Sequence, residues 1–150
     1  MLSTDPTDFV DLVDGNLQLI LADRSLTTSG KEWVPTYRFS ITVDQQEVGL
    51  IDLRIGETEF FVRFAGQVGY TIDPPYRGHR YAARALRLLC PLARAHGFHT
   101  LWITCNPDNL ASRRTCELAG AEFVEVVDLP LDCEMYADGE RKKCRYSLAV

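Results

Sequence analysis

From Pro74 to Pro107 the chain carries not one Asp or Glu, although its net charge over 150 residues is −5. An acid-free stretch in an acidic protein makes a local electropositive patch. The overall negative charge excludes non-specific affinity for nucleic acid or for an anionic membrane surface. A patch of this size suits one small phosphorylated ligand. Other absences narrow the chemistry. No C-x-x-C pair occurs, and the five cysteines at 90, 105, 116, 133 and 144 are odd in number and widely spaced. They read as free thiols in a reducing cytosol. No apolar run is long enough to span a bilayer, and the first residues lack the basic and apolar regions of a secretion signal. The expected location is therefore cytoplasmic.

The turn at Gly78 lacks the G-K-[ST] of a nucleotide P-loop, and no G-x-G-x-x-G exists. No nucleophile elbow surrounds any serine. His96 and His99 flank a helix-ending glycine without a third ligand, so no metal site is expected. Repeats, low-complexity tracts and linkers are missing too, which fits a single domain over residues 1–150.

What is present reads as a mixed α/β chain. Leu17–Leu21 forms a short first strand, and the Ser, Thr and Gly residues between Ser25 and Pro35 predict a loop or at most one helical turn. Tyr37, Phe39, Ile41 and Val43 alternate with Arg38, Ser40 and Thr42. After a turn at Asp44-Gln45-Gln46, Gly49, Ile51, Leu53 and Ile55 alternate again, giving an antiparallel hairpin with one buried face. A turn at Gly56-Glu57-Thr58 leads past Phe60-Phe61-Val62 to the strand ending at Ile72. From Arg80 the period becomes helical. Ala82, Leu86, Leu89 and Ala93 form a stripe opposite Arg80, Arg84, Arg87 and Arg94, with Pro91 inside and Gly97 as the stop. Leu101–Cys105 is an apolar strand, Asn106–Asn109 a capping turn, Leu110–Ala119 a helix closed by Gly120. Phe123–Val127 and Lys143–Val150 are the last strands. The predicted order is β-β-β-β-α-β-α-β-β: a mixed, mostly antiparallel central sheet of six to seven strands with helices packed on it.

Between Ile72 and Tyr81 a strand feeds a short basic turn that opens directly into a helix. Backbone N–H groups at a helix N-terminus form a ready phosphate site. Two blocks here resemble the GNAT superfamily of acyl-CoA-dependent N-acyltransferases. Arg77-Gly78-His79-Arg80-Tyr81-Ala82 is similar to the family's R-x-x-G-x-A turn. Asn109-Leu110-Ala111-Ser112, with Gly120, is similar to its N-x-x-[AS] helix start. The spacing of one helix and one strand between the blocks also fits.

The resemblance implies a GNAT-like fold and acetyl-CoA, or another acyl-CoA, as co-substrate, without a metal. It implies that the amides of Gly78, His79, Arg80, Tyr81 and Ala82, with Arg77, hold the pyrophosphate, and that Asn109 and Ser112 border the cofactor. Tyr70, Thr71 and Ile72 would lend a free strand edge to pantetheine and an N–H to the thioester carbonyl, in a gap where this strand and the next splay apart. Two positions depart from the pattern. Arg80 replaces the first glycine, and a bulky residue there is expected to take an ordinary helical φ. Its guanidinium either contacts phosphate or begins the solvated helix face. Cys116 stands where many relatives carry the tyrosine that protonates the leaving thiolate. It is read either as that acid or as a small buried hydrophobe, with Tyr136 or water as replacements.

The base that deprotonates the amine is not marked; Glu57, Glu59 and Asp73 are the candidates. The expected acceptor is an amine of a small molecule or peptide. The short segment from Ala22 to Tyr37, where relatives often build helices, predicts an open acceptor groove, which would also admit a homodimer contact. Acidic residues at both ends lean mildly toward a cationic acceptor, though a solvated acidic rim explains them as well. A non-catalytic acyl-CoA-binding regulatory module, or a scaffold for protein contacts, remains an alternative.

Overall fold

The computed structural model describes residues 12–29 and 32–150. Five strands, β1 (Val13–Asp14), β2 (Leu17–Ser29), β3 (Glu32–Val43), β4 (Gln46–Arg54) and β5 (Val68–Ile72), pair antiparallel in chain order. Three more, β6 (Thr100–Cys105), β7 (Glu122–Asp128) and β8 (Lys142–Ala149), form a second antiparallel sheet in the order β6-β8-β7. Helices α1 (Tyr81–Ala95), α2 (Leu110–Ala119) and the short α3 (Glu134–Ala137) complete the described architecture, with a π-helical turn at Phe60–Ala65 and a 3₁₀ turn at Pro74–Tyr76. The α/β class and the strand–helix order follow the sequence reading, with β1 and α3 added. The expected sheet is split in two.

Alternation explains the hairpin of β3 and β4. Tyr37, Phe39, Ile41, Ile51 and Leu53 are buried, while Arg38 faces solvent. Asp44 and Gln45 take φ of 50° and 69°, the left-handed pair a two-residue hairpin turn requires. The register slips between Ile41 and Thr42, so Val48 is an extra residue in β4 and both it and Gly49 are buried. A Cβ on Gly49 would stand 2.2 Å from the Thr71 carbonyl oxygen, so only glycine lets β5 lie this close.

Of the stretch 25–35, expected as a loop, residues 25–29 and 32–35 instead extend the β2–β3 ladder as far as Ser29↔Glu32, and residues 30 and 31 lie outside the described residues. Ser and Thr read as loop formers, but β-branched Thr27, Thr28, Val34 and Thr36 also suit a strand once a partner is opposite. Pro35 sits within β3, paired with Leu26.

The helical stripe forms the floor of the core. Ala85, Leu86, Leu89, Leu92 and Ala93 are fully buried. They pack with Phe39, Ile41 and Ile51 of one sheet and Leu101, Ile103 and Tyr146 of the other, so one core underlies both. Burial of each leucine is worth about 1.5–3 kcal/mol. α1 lies over β2, β4 and β5 and touches α2, which lies over β6 and β7.

The two sheets meet at Gln67, 1% exposed. Its N–H donates to the Trp102 carbonyl at 2.8 Å, its Oε1 accepts from the Trp102 N–H at 2.9 Å, and its Nε2 donates to the Gly56 carbonyl at 2.8 Å. Beyond this knot no ladder joins β5 to β6 among the described residues. The gap opens there.

Candidate active site

The edge of β5 is set by simple alternation. Asp73 donates its N–H to the Val48 carbonyl, and Arg54 donates its N–H to the Gln67 carbonyl, both at 2.8 Å. Between those anchors the odd-numbered residues of β5 turn their peptide groups toward β4. Tyr70 and Ile72 therefore direct theirs toward the gap. Arg77 Nε donates to the Ile72 carbonyl at 2.9 Å and folds the following turn back against the strand end.

The turn then presents a run of bare amides. Tyr76 N–H is bound to the Asp73 carbonyl, Arg77 N–H to that of Pro74, and Arg84 N–H to that of Arg80. Those of Gly78, His79, Arg80, Tyr81 and Ala82 have no partner among the described residues. Gly78, His79 and Arg80 are exposed, Tyr81 is half-buried and only Ala82 is buried. Two positive-φ residues, Gly78 at 89° and Arg80 at 64°, bend the chain so that successive N–H groups converge, as in an anion-binding nest. Arg80 thus corrects the expected helical φ: it adopts the left-handed conformation of the missing glycine (φ 64°, ψ 22°) and caps α1 without a side-chain hydrogen bond. That geometry costs an L-residue about 1–2 kcal/mol.

A cleft of about 660 Å³ joins these pieces. Tyr70, Thr71, Ile72, Arg77, Gly78, His79, Arg80, Tyr81, Ala82, Asn109 and Ser112, the residues expected from the sequence, all line it. Tyr76, Ala111, Arg114, Thr115 and Leu118 line it as well and were not anticipated. Spacings of four and three put Ala111, Thr115 and Leu118 on one stripe of α2, which periodicity could have found. Asn109 caps α2, its Oδ1 accepting from Ser112 N–H at 3.1 Å.

Cys116 does not line the cleft. It is fully buried, with Sγ 3.7 Å from the Tyr70 hydroxyl. That hydroxyl also lies 2.8 Å from Ser112 Oγ and donates to the Ser112 carbonyl at 3.2 Å. Burial pushes the Tyr70 phenol well above its ordinary range, with the nearby Cys116 adding to it. Burial likewise pushes the Cys116 thiol up to about 12. Both groups stay protonated at neutral pH, so they can donate and do not act as nucleophiles. The phenol stands between thiol and cleft.

Residues 5–122 match the family model described as the acetyltransferase (GNAT) domain. The chain belongs to the GNAT acetyltransferase family. No curated protein matches it significantly in sequence. Solved GNAT structures share its fold at low identity. The microcin C7 self-immunity acetyltransferase MccE, in complex with acetyl-CoA and AMP, is 16% identical with a TM-score of 0.56, over 77% of this chain and 61% of that one. RimL, a ribosomal L7/L12 alpha-N-protein acetyltransferase, is 16% identical at 0.59, over 77% and 70%. Mycobacterium smegmatis RimJ, in complex with CoA-disulfide, is 20% identical at 0.60, over 77% and 53%. The chain thus spans only about half to seven-tenths of these relatives.

Within this GNAT fold the other sequence candidates lie outside the cleft. Glu57, Glu59 and Asp73 do not line it. Asp73 opens the 3₁₀ turn and makes no side-chain cap. Tyr136 lies on α3 beneath the Arg141 guanidinium, 3.8 Å from its ring centroid. His96 Nε2 is 2.8 Å from the Tyr37 hydroxyl, far in sequence from the turn.

Proposed function

We propose that this protein transfers an acetyl group from acetyl-CoA to an amine by direct attack in a ternary complex, and that the chain acts as one domain. The observation that carries the reading is the row of amides from Gly78 to Ala82, without partners among the described residues, beside the edge of β5 on which no described strand pairs. The single core under both sheets supports the one-domain reading.

The amides at the start of α1 hold the diphosphate, where the helix dipole favours negative charge. Arg77, Arg80 and Arg114 border the same cleft and add charge-assisted contacts. Asn109 and Ser112 fix the opposing start of α2. Tyr70 and Ile72 pair with the pantetheine amides as an added strand would. Acetyl-CoA supplies an acyl group on a thiol leaving group. The Tyr70 N–H polarises the thioester carbonyl. The neutral amine attacks the carbonyl carbon, the C–S bond breaks, and the departing sulfur takes a proton. The Tyr70 hydroxyl, on a residue that lines the cleft, donates that proton, and solvent water re-protonates the phenolate. Water carries the amine's proton away. Positioning of the two substrates supplies much of the acceleration.

RimL modifies a ribosomal protein N-terminus, as its name states, which supports a peptide amine as acceptor, alongside a small-molecule amine. No helix stands between β2 and β3 among the described residues, which leaves the acceptor side open. Net charge argues against nucleic acid as a partner. The test has two parts. Calorimetry should detect acetyl-CoA binding, and thiol release should follow with members of an amine and peptide panel. Tight binding without turnover on any amine would favour a regulatory acyl-CoA-binding module. No binding at all would remove both.

A further inference from the structure

Arg54, the last residue of β4, is a charged group close to Tyr70 that this mechanism leaves unused. Leu50, Asp52 and Arg54 alternate with buried Ile51 and Leu53, so they share the sheet face turned away from the helices. The Arg54 side chain crosses β5 at Gly69. A Cβ on Gly69 would come within 2.7 Å of Arg54 Nη2, so the glycine provides the path. Nη1 donates to the carbonyls of Gly66 at 3.1 Å and Ala65 at 3.4 Å, in the segment that Gln67 ties to β6. The guanidinium is thereby held beside Gly69, one residue from Tyr70, though neither Arg54 nor Gly69 lines the cleft itself.

Asp52 attracts its charge without touching it. Arg54 forms no ion pair among the described residues. The neighbouring carboxylate, Asp52, is committed to Arg38, which grips it with Nε at 2.9 Å and Nη2 at 3.0 Å. Arg54 leaves that same Nε–Nη2 edge without a partner among the described residues. Burial lowers its pKa, and the Arg38 charge acts in the same direction against the pull of Asp52. A partly desolvated cation without a counter-ion is costly, and an incoming anion offsets that cost. A guanidinium edge matches a carboxylate with two parallel hydrogen bonds.

We propose that Arg54 selects the acceptor, binding a carboxylate carried close to the reacting amine. The inference rests on the transferase reading above and names the substrate class of that site: amines bearing a nearby carboxylate, such as peptides with an acidic residue at position one or two. Gly69 is one strand step, about 3.4 Å, from Tyr70. An amine at the Tyr70 edge therefore brings a group roughly 5–8 Å from its nitrogen to the guanidinium.

The test uses the full chain, acetyl-CoA and matched peptides, Ser-Glu-Ala-amide against Ser-Gln-Ala-amide and Ser-Asp-Ala-amide against Ser-Asn-Ala-amide. The acidic member of each pair is expected to have a kcat/KM about tenfold higher, expressed in KM. Arg54→Met should bring that ratio to about one, and Arg54→Lys should retain part of it. Melting curves and acetyl-CoA affinity check that each variant is folded. Equal rates within wild-type pairs overturn the inference, as does an Arg54→Met loss that is the same for both members, the mark of a clamp on the Ala65–Gly66 segment only. If acetyl-CoA binds but neither these peptides nor any amine of the wider panel releases thiol, the transferase reading fails by itself. Calorimetry on the acetyl-CoA complex then decides this inference: tighter binding of Ser-Glu-Ala-amide than of its Gln partner upholds it, and equal binding overturns it.

Discussion

Arg77 Nε donates to the Ile72 carbonyl at 2.9 Å, so the basic turn and the free strand edge are held as one unit. Arg77 consequently has two roles, charge at the cleft and restraint of the turn. Arg77→Glu is expected to weaken CoA by tenfold or more while weakening pantetheine, which lacks the diphosphate, by much less. Equal losses for both ligands would assign Arg77 to folding alone. Titration calorimetry with the two ligands separates these.

Arg80 stores strain that glycine would not. Arg80→Gly should raise stability by about 1 kcal/mol, a shift of roughly 2–4 °C in Tm. If the guanidinium also contacts phosphate, the same variant binds acetyl-CoA more weakly. A lowered Tm would contradict the left-handed geometry at this position.

Tyr70→Phe removes the hydroxyl that joins Ser112 to Cys116 and should lower kcat by at least tenfold with acetyl-CoA affinity within twofold. Cys116→Ala should lower turnover less, since the phenol remains at the cleft. Unchanged turnover in Cys116→Ala would leave the thiol a packing role. Full activity in Tyr70→Phe would exclude the phenol as acid.

Stability should fall at alkaline pH for a definable reason. The Cys116 thiol titrates near 9 when exposed and at about 12 in the fold. Below 9 both states hold the proton; between 9 and about 12 only the folded state does. Its contribution is therefore full below pH 9 and lost as pH rises, at about 1.4 kcal/mol per pH unit. Cys116→Ala should flatten the decline in Tm across that window. A decline of unchanged slope would show that other groups cause it.

The sequence was most legible where one local rule governs. Alternation along Tyr37–Val43 and the stripe from Ala82 to Ala93 report which faces are buried, and the turn from Arg77 to Ala82 carries its residues contiguously. Tertiary partners hid the rest. Nothing local distinguishes Thr27 and Thr28 in a loop from the same residues in a ladder. Arg80 took a glycine conformation because the turn, anchored by Arg77 on Ile72, demands it. The Tyr70–Ser112–Cys116 cluster joins residues 42 and 46 positions apart, and Gln67 meets Trp102 across 35. Such pairings have no periodicity to read. Residues 1–11, with their acidic run, lie outside the described residues.

The most direct measurement is a backbone amide NMR titration with CoA and, separately, with pantetheine. The amides of Gly78, His79, Arg80, Tyr81 and Ala82 should move strongly with CoA and little with pantetheine, while those of Tyr70 and Ile72 respond to both. Saturation with CoA that leaves the five turn amides unmoved would contradict a diphosphate held by the main chain at the start of α1.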